Sequence, residues 1–466
     1  MVFKQFDLNS ADELLPYLEK CPYLGSDFTL GYLLMWYKEL NVQYCITKDT
    51  FIIRYDLDDL ASFTFPFGPH THEVLIDLIE FIKNNNLPLR FYGIDEETIR
   101  FIENDEMFHD INLSYDIRWS DYIYSFKDVL TFSGKKYRGQ RNHINKYKSL
   151  YGEPKIKELS LDILDKVFDM LNKYELEHQD YNALEKEEYL RTIELIKNYD
   201  KFHQIGIVFL NDKDEVIGVS VGEILHDTLI IHVEKALKDY DGVYPTLYQS
   251  FVRWVNDNIG ELTYINREDD SGDEGLRISK TQYQPIDRIH KYVAQVNSPI
   301  HQVSWDVIRG ENIVLTRFQS KDAKAYHELN IDQENNKYWG YDYTEDLSIT
   351  TLNENTFYDM AVGDMMLGQS INFAIRETVD GPMIGETILW NFTFNGDAEL
   401  GCRVSRQYQH HSYGKQAFYL TYKYATEELK LKIWARCYKE NVSSRKMIED
   451  AGLKLVEEDD TFLYFR

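Results

Sequence analysis

Between residues 398 and 405 apolar and polar side chains alternate, the two-residue period of a strand with one buried face. A turn over residues 407–417 follows. Then Ala417, Leu420, Thr421, Tyr424 and Ala425 recur at three- and four-residue spacing, which predicts a helix. Residues 431–438 predict a second strand, and Asn441-Val442-Ser443-Ser444 opens a short helix that ends at Gly452. The order is strand, glycine-containing turn, helix, strand, helix. A turn feeding a helix in this way aims backbone N–H groups and the positive end of the helix dipole at one point, which suits a pyrophosphate.

Related patterns run upstream. Residues 74–84 predict a helix, 89–94 a strand and 161–177 a helix, while 202–210, 216–225 and 228–234 predict three successive strands. Through residues 161–274 the order helix, three strands, helix, strand mirrors the C-terminal block. Residues 286–296 have a helix-like pattern, and the polar stretch 295–301, with Pro299, marks the clearest boundary. The expectation is an α/β protein (α+β, mixed sheets) in which one kind of core occurs three times, over residues 1–125, 126–298 and 305–466.

The 466 residues, 43% hydrophobic and 14% aromatic, suffice for two or three buried cores. No apolar run approaches the roughly 18 residues of a membrane span. The N-terminal stretch lacks the basic start and apolar centre of a signal peptide. Cys21, Cys45, Cys402 and Cys437 lie far apart without paired spacing, so neither a disulfide framework nor a metal site is expected, and a reducing cytoplasm is. A formal net charge of −27 argues against broad adhesion to nucleic acid or anionic membrane, though it leaves room for a local basic site.

The C-terminal block resembles the GNAT acyltransferases, in particular the ribosomal-protein N-acetyltransferase-like branch that acetylates protein N-termini and small amines. That family's pyrophosphate signature, Gln/Arg-x-x-Gly-x-Gly/Ala, is matched by Gln409-His410-His411-Ser412-Tyr413-Gly414, with Lys415 next. Ser412 replaces the first glycine, and its Cβ restricts both the backbone and the approach of a phosphate. The family's Asn-x-x-Ser appears as Asn441-Val442-Ser443-Ser444. Residues 313–318 resemble the first strand, 322–329 the first helix, and Phe373-Ala374-Ile375 with Met383-Ile384-Gly385-Glu386 the central hairpin. The resemblance covers roughly residues 305–466. It implies acetyl-CoA or another acyl-CoA as donor, held by the 409–415 turn and Asn441, and a small-molecule or peptide amine as acceptor.

Acyl transfer to an amine needs the nucleophile unprotonated, hence a general base. Glu399, on the strand before the turn, is the first candidate, directly or through a water, and Glu386 the second. The resemblance implies Ser444 as proton donor to the departing thiolate. Plainer roles stand beside these: Glu399 as a solvent-facing strand residue, Asn441 and Ser444 as a helix cap, His410 and His411 as exposed loop residues. Trp339, Tyr341 and Tyr343 either wall an acceptor pocket or form an ordinary aromatic core patch.

Residues 134–148 contain no acid in this acidic chain. On a helix, Arg138, Arg141, Asn142, Asn145 and Lys148 share one face while Ile144, Tyr147 and Tyr151 share another. Either a solvated basic helix or a polyanion site fits that pattern. Together with residues 232–236, 240–245 and 265–277, the island resembles the C-terminal catalytic domain of phosphatidylglycerol lysyltransferase over roughly residues 1–298. This second resemblance implies two GNAT-like halves and transfer of an amino acid from aminoacyl-tRNA, with tRNA a partner at the basic island. The family's membrane-embedded flippase half has no counterpart in this sequence, so a lipid acceptor does not follow. Arg138, Arg141, Asn142, Glu234, Asn266, Arg267, Glu268 and Arg277 are the candidates for a substrate-ammonium or phosphate pocket. The alternative is an ion-pair knot holding a turn. Three functions follow: an acyl-CoA-dependent N-acyltransferase first, an aminoacyl-tRNA-dependent transferase second, a non-catalytic binding module third.

Overall fold

A computed structural model of the chain describes residues 1–57, 60–108, 111–177, 183–296, 298–346, 349 and 351–466. Its strands form three mixed sheets. The first has the order Lys4–Gln5, Gln43–Thr47, Thr50–Leu57, Leu60–Phe63, Arg90–Ile94, Tyr292–Gln295, Asn112–Ser114. The second runs Asp287–Ile289, Asp121–Ser125, Tyr264–Asn266, Thr228–Ala236, Val216–Leu225, Ile205–Leu210, Lys155–Glu158. The third runs Ile308–Arg309, Val314–Arg317, Ile371–Arg376, Gly385–Trp390, Asp397–Val404, Lys432–Tyr438, Phe462–Phe465, Leu455–Glu458.

One stretch departs from its sequence pattern. Residues 286–296, helix-like in sequence, are two strands, each in a different sheet. Asp287–Ile289 lies antiparallel to Asp121–Ser125, and Tyr292–Gln295 fills the slot between Arg90–Ile94 and Asn112–Ser114. Tyr and Val suit a strand, and the available ladder partners override a weak helical period. Asp121–Ser125, ahead of the 125/126 division, thus pairs in the second sheet, and Tyr292–Gln295 pairs in the first. Asn297, within the expected boundary stretch, lies outside the described residues.

These crossings give the first two sheets a shared hydrophobic core, from Phe6 to Val296. Helix Thr71–Asn84 shows how the pattern feeds it, burying Val74, Leu75, Leu78 and Ile82 at helical spacing. Where the two sheets meet, the seam is polar. Lys291 Nζ lies 2.9 Å from Asp121, 3.2 Å from Asp27 and 3.5 Å from Asp269. His232 bridges Glu223 at 2.8 Å and Glu268 at 2.7 Å, and Glu223 also accepts from the N–H of Gly31 at 2.6 Å. Charges this deep need partners, and these have them.

The third sheet has its own core around Leu315, Phe373, Ala398, Phe418 and Phe465. It touches the N-terminal region at several points. Asn112 Nδ2 donates to Met366 O, and Ser298 Oγ donates to Gly368 O at 3.1 Å. Gly368 sits at φ +72°, and a Cβ there would come within 2.5 Å of Ser298 Oγ, so the contact requires glycine. Among the described residues no helix is long and apolar enough to cross a membrane.

Candidate active site

Strands Asp397–Val404 and Lys432–Tyr438 run parallel and pair only at Asp397–Lys432, Ala398–Ile433 and Glu399–Trp434. Beyond Glu399 both continue without a shared ladder, so a wedge opens between them. Strand alternation sorts the wedge's walls. Ala398, Leu400 and Val404 turn toward helix Tyr413–Glu427 and the core, while Glu399, Gly401 and Arg403 face the other side.

The turn into helix Tyr413–Glu427 is left-handed at His410 (φ +65°) and Ser412 (φ +64°). Ser412 therefore adopts a left-handed conformation that glycine reaches freely and a side chain only at some steric cost. Its carbonyl accepts from the Gln416 N–H at 3.1 Å. Among the described residues the N–H groups of Ser412, Tyr413, Gly414 and Lys415 find no partner, as the first turn of a helix dictates. The atoms nearest to a Cβ built on Gly414 belong to Val404 and Cys402 of the sheet and to Met447 of helix Val442–Asp450, while His410, His411, Ser412 and Lys415 are exposed. The turn thus presents a patch of free donors at a helix's positive end, which fits a pyrophosphate. Its side chains brace it: Gln409 donates to Asn335 at 2.7 Å and to Val404 O at 3.1 Å. Lys415 pairs with Asp450 at 2.8 Å, and Tyr413 donates to Glu377 at 2.6 Å.

Glu399 stands at the apex of the wedge, only 4% exposed, so it is not a solvent-facing strand residue. Arg436 Nε lies 3.0 Å from it, and Asn391 Nδ2 donates to its other oxygen at 2.8 Å. Burial pushes its carboxyl above the usual range, opposed by Arg436 and Asn391. Glu386 is differently placed. Arg403 grips it from Nε at 2.6 Å and Nη2 at 2.5 Å, and Arg403 is itself held by Asn336 at 2.8 Å and Asn330 at 2.9 Å. A carboxylate so gripped is a good anchor. Trp339 lies over the Arg403 guanidinium at 4.6 Å and over Gly401, where a Cβ would come within 2.9 Å of its ring. Trp339 therefore roofs this side of the wedge, whereas Tyr341 and Tyr343 pack into a small cluster around Phe357. Asn441 Oδ1 accepts from the Ser444 N–H at 3.0 Å, a helix cap, with Ser444 at the first turn of Val442–Asp450.

The second sheet has the same wedge. Tyr264–Asn266 pairs in parallel with Thr228–Ile230 along its whole length, and beyond Asn266 strand Thr228–Ala236 runs on without it. Here the gap is bridged: His232 meets Glu268, and Arg267 meets Glu234 at 3.1 Å. The corresponding turn is covered as well. Gly242, at φ +80° before helix Val243–Asn258, lies so close to helix Arg138–Tyr151 that a Cβ would sit 2.2 Å from His143 O.

The other N-terminal candidates fall into separate pairs. Asn266 donates to Asp121 at 2.8 Å, and Arg277 grips Asp270 at 3.0 and 3.1 Å. Arg141 bonds the carbonyls of Phe132 and Gly134, whereas Arg138 and Asn142 are exposed. On the basic island Lys136, Lys146 and Lys148 pair with Asp128, Asp241 and Glu153. The Arg267 guanidinium lies 4.3 Å from the Tyr248 ring and 4.8 Å from that of Tyr283. Glu234 Oε2, Arg267 Nη1 and Tyr248 OH are buried without a partner among the described residues.

Arg403, Arg436 and Asn391 escaped the sequence reading, which names Trp339 as one candidate wall of the acceptor pocket. The two arginines stand at strand positions whose neighbours are apolar, which is a readable signal. Asn391 acts through a bond to Glu399, eight residues on across a turn, which no helix or strand period marks.

A parallel strand pair that ends short, beside a helix-feeding turn, occurs in two sheets of this mixed α/β protein. The chain belongs to the phosphatidylglycerol lysyltransferase C-terminal family, whose model matches residues 19–295, and a GNAT acetyltransferase domain is matched over residues 312–454. It is similar to a conserved protein of unknown function from Bacteroides thetaiotaomicron, with 24% identity and a TM-score of 0.57 over 63% of this chain and 99% of that one. An uncharacterized protein of Mycoplasmoides gallisepticum is 25% identical over 266 residues, 56% of this chain and 83% of its own length. A GNAT-family acetyltransferase from Bacillus anthracis is 22% identical over 34% of this chain and 96% of that one, with a TM-score of 0.29.

Proposed function

We propose that residues 305–466 form an N-acyltransferase that uses acetyl-CoA, or another acyl-CoA, and acts on a small-molecule or peptide amine. The observation that carries this reading is the contrast between the two wedges. The turn before Tyr413 has exposed, unpartnered N–H groups, while the one at Gly242 lies under the backbone of His143. Residues 409–415 would hold the pyrophosphate, with the Asn441 side chain nearby. Acyl-CoA, when bound, supplies the acyl group as a thioester.

Glu399 takes the proton of the acceptor amine on a carboxylate oxygen, directly or through a water. Its raised carboxyl and its place at the wedge's apex suit a base. Glu386 orients Arg403 beneath Trp339 and shapes the acceptor side. Ser444, at the first turn of its helix, is the candidate donor to the leaving sulfur. Acetyl transfer to a panel of amines, measured with the full chain and with Glu399→Gln, tests the reading. Turnover that falls at least about a hundredfold in the variant supports it, and undiminished turnover rejects Glu399 as the base.

A second reading concerns residues 1–298, as an aminoacyl-tRNA-dependent transferase. The unpartnered atoms of Glu234, Arg267 and Tyr248 favour it, because buried polar groups left open await a ligand. Binding of tRNA that is unchanged by charge reversal at Arg138 and at exposed Lys135 would remove that reading.

A further inference from the structure

The turn between strands Gly385–Trp390 and Asp397–Val404 faces two ways. On one side it rests on the N-terminal region, at the end of helix Thr71–Asn84. Thr393 Oγ1 donates to Asn86 Oδ1 at 2.8 Å, the Phe394 N–H donates to Leu87 O at 2.9 Å, and Asn395 Nδ2 donates to Lys83 O at 2.9 Å. The Phe394 ring packs against the N-terminal core. A helix end leaves carbonyls without intrahelical partners, and here the turn of another domain supplies three donors to this segment, two of them to carbonyls.

On the other side the same turn begins with Asn391, left-handed at φ +52°, whose Nδ2 donates to Glu399 Oε2 at 2.8 Å. Between these faces the turn is closed on itself. The Thr393 N–H donates to Asp397 O at 3.0 Å, and the Asp397 N–H donates to Thr393 Oγ1 at 3.1 Å. One hydroxyl, that of Thr393, therefore belongs both to the turn's closure and to the interdomain contact. Lys432 Nζ ties the tip to the neighbouring strand through Asn395 O at 3.1 Å.

We propose that residues 83–87 are a seat that fixes the 391–396 turn, making Asn391 a positioning residue for Glu399, so that docking of the N-terminal region completes the acyl-transfer site. The inference rests on the reading of Glu399 as the base. A left-handed asparagine at the start of a turn keeps one orientation only if the turn is held. Seven residues of the turn and its flank carry that hold, from Asn391 to Asp397. Of the groups packed around Glu399, Asn391 precedes it on the turn, Trp390 pairs with it on the adjacent strand, and Arg436 reaches it from the other side of the wedge. Arg436 is the charged member of that set, and it comes from a strand that is not part of the seat.

The test uses the full chain and the pH dependence of kcat/KM. Asn391→Leu removes the donor. Asn86→Gly with Phe394→Ser leaves Asn391 intact and unseats the turn, and Asn86→Gly alone keeps the left-handed backbone that Asn86 adopts at φ +52° should the double variant fail to fold. A donor to the carboxylate favours its charged form, so its loss raises the carboxyl's pKa and moves the acidic limb of the profile to higher pH. The expected result is a fall of about threefold or more at pH 6, with values within about twofold of the parent at pH 9, for Asn391→Leu and for the seat variants alike. A seat variant that keeps the parent's limb while Asn391→Leu moves it overturns the proposal, as does an unmoved limb in both. Full activity in Glu399→Gln would instead remove the reading beneath it, and that outcome is separate because it does not depend on the turn.

Discussion

Glu399 and Arg436 meet 3.0 Å apart, one on each strand, at the point where those strands stop pairing. Their geometry sets the protonation of the candidate base. Burial raises the Glu399 carboxyl, and the arginine pulls it back.

Replacing Arg436 with alanine removes the larger of the two opposing influences. The Glu399 carboxyl then rises further, and the acidic limb of kcat/KM moves to higher pH by more than it does in Asn391→Leu. A limb that moves to lower pH would contradict this assignment.

Ser412 is held at φ +64°, where a side chain is costly. Ser412→Gly relieves that cost, which for a non-glycine residue is about 1–2 kcal/mol, though the more flexible unfolded chain offsets part of it. The variant should bind acetyl-CoA more tightly, with a melting temperature equal to or above the parent's. Calorimetry and thermal denaturation check both.

His232 is buried between two carboxylates. Burial alone would lower its pKa, but hydrogen bonds to Glu223 and then Glu268 outweigh it and push the imidazolium up to about 10. A group whose pKa is raised on folding lends stability that is fully present below its unfolded value, near 6.5, and is lost as pH rises through the folded one. Denaturation midpoints should therefore decline from pH 7 toward pH 10. In His232→Gln that part of the decline should disappear.

Lys291 pairs with Asp121, Asp27 and Asp269 at the seam between the first two sheets. Burial disfavours its charge, yet the three aspartates hold its pKa well above the ordinary value. Lys291→Met leaves those carboxylates buried without a cation, at a cost of about 3–5 kcal/mol. Urea unfolding of the full chain measures it, and a loss below about 1 kcal/mol would show that the seam tolerates unpaired charge.

Much of this arrangement is readable in the sequence where local period and chain order agree. Residues 398–405 alternate, residues 417–425 keep helical spacing, and they fold as strand Asp397–Val404 and helix Tyr413–Glu427. Residues 286–296 misled because a short Tyr- and Ile-containing run carries both periods weakly, and only sheet partners more than a hundred residues away decide it. The Arg403 grip on Glu386 depends on strand register, and the seat under Phe394 depends on how two cores dock. Neither leaves a local trace. The covered turn at Gly242 was equally hidden, since nothing in its own residues says that His143 lies against it.

The central claim is that the turn before Tyr413 binds the diphosphate of an acyl-CoA. Isothermal titration of acetyl-CoA into the full chain, beside Ser412→Asp, tests it most directly. An aspartate there tolerates the left-handed backbone and sets a negative charge beside the free N–H groups, so the fold is kept while a diphosphate is repelled. Saturable binding to the parent and a loss of at least about tenfold in the variant are expected, at an unchanged melting temperature. No binding to the parent, or equal binding to both proteins, would contradict it.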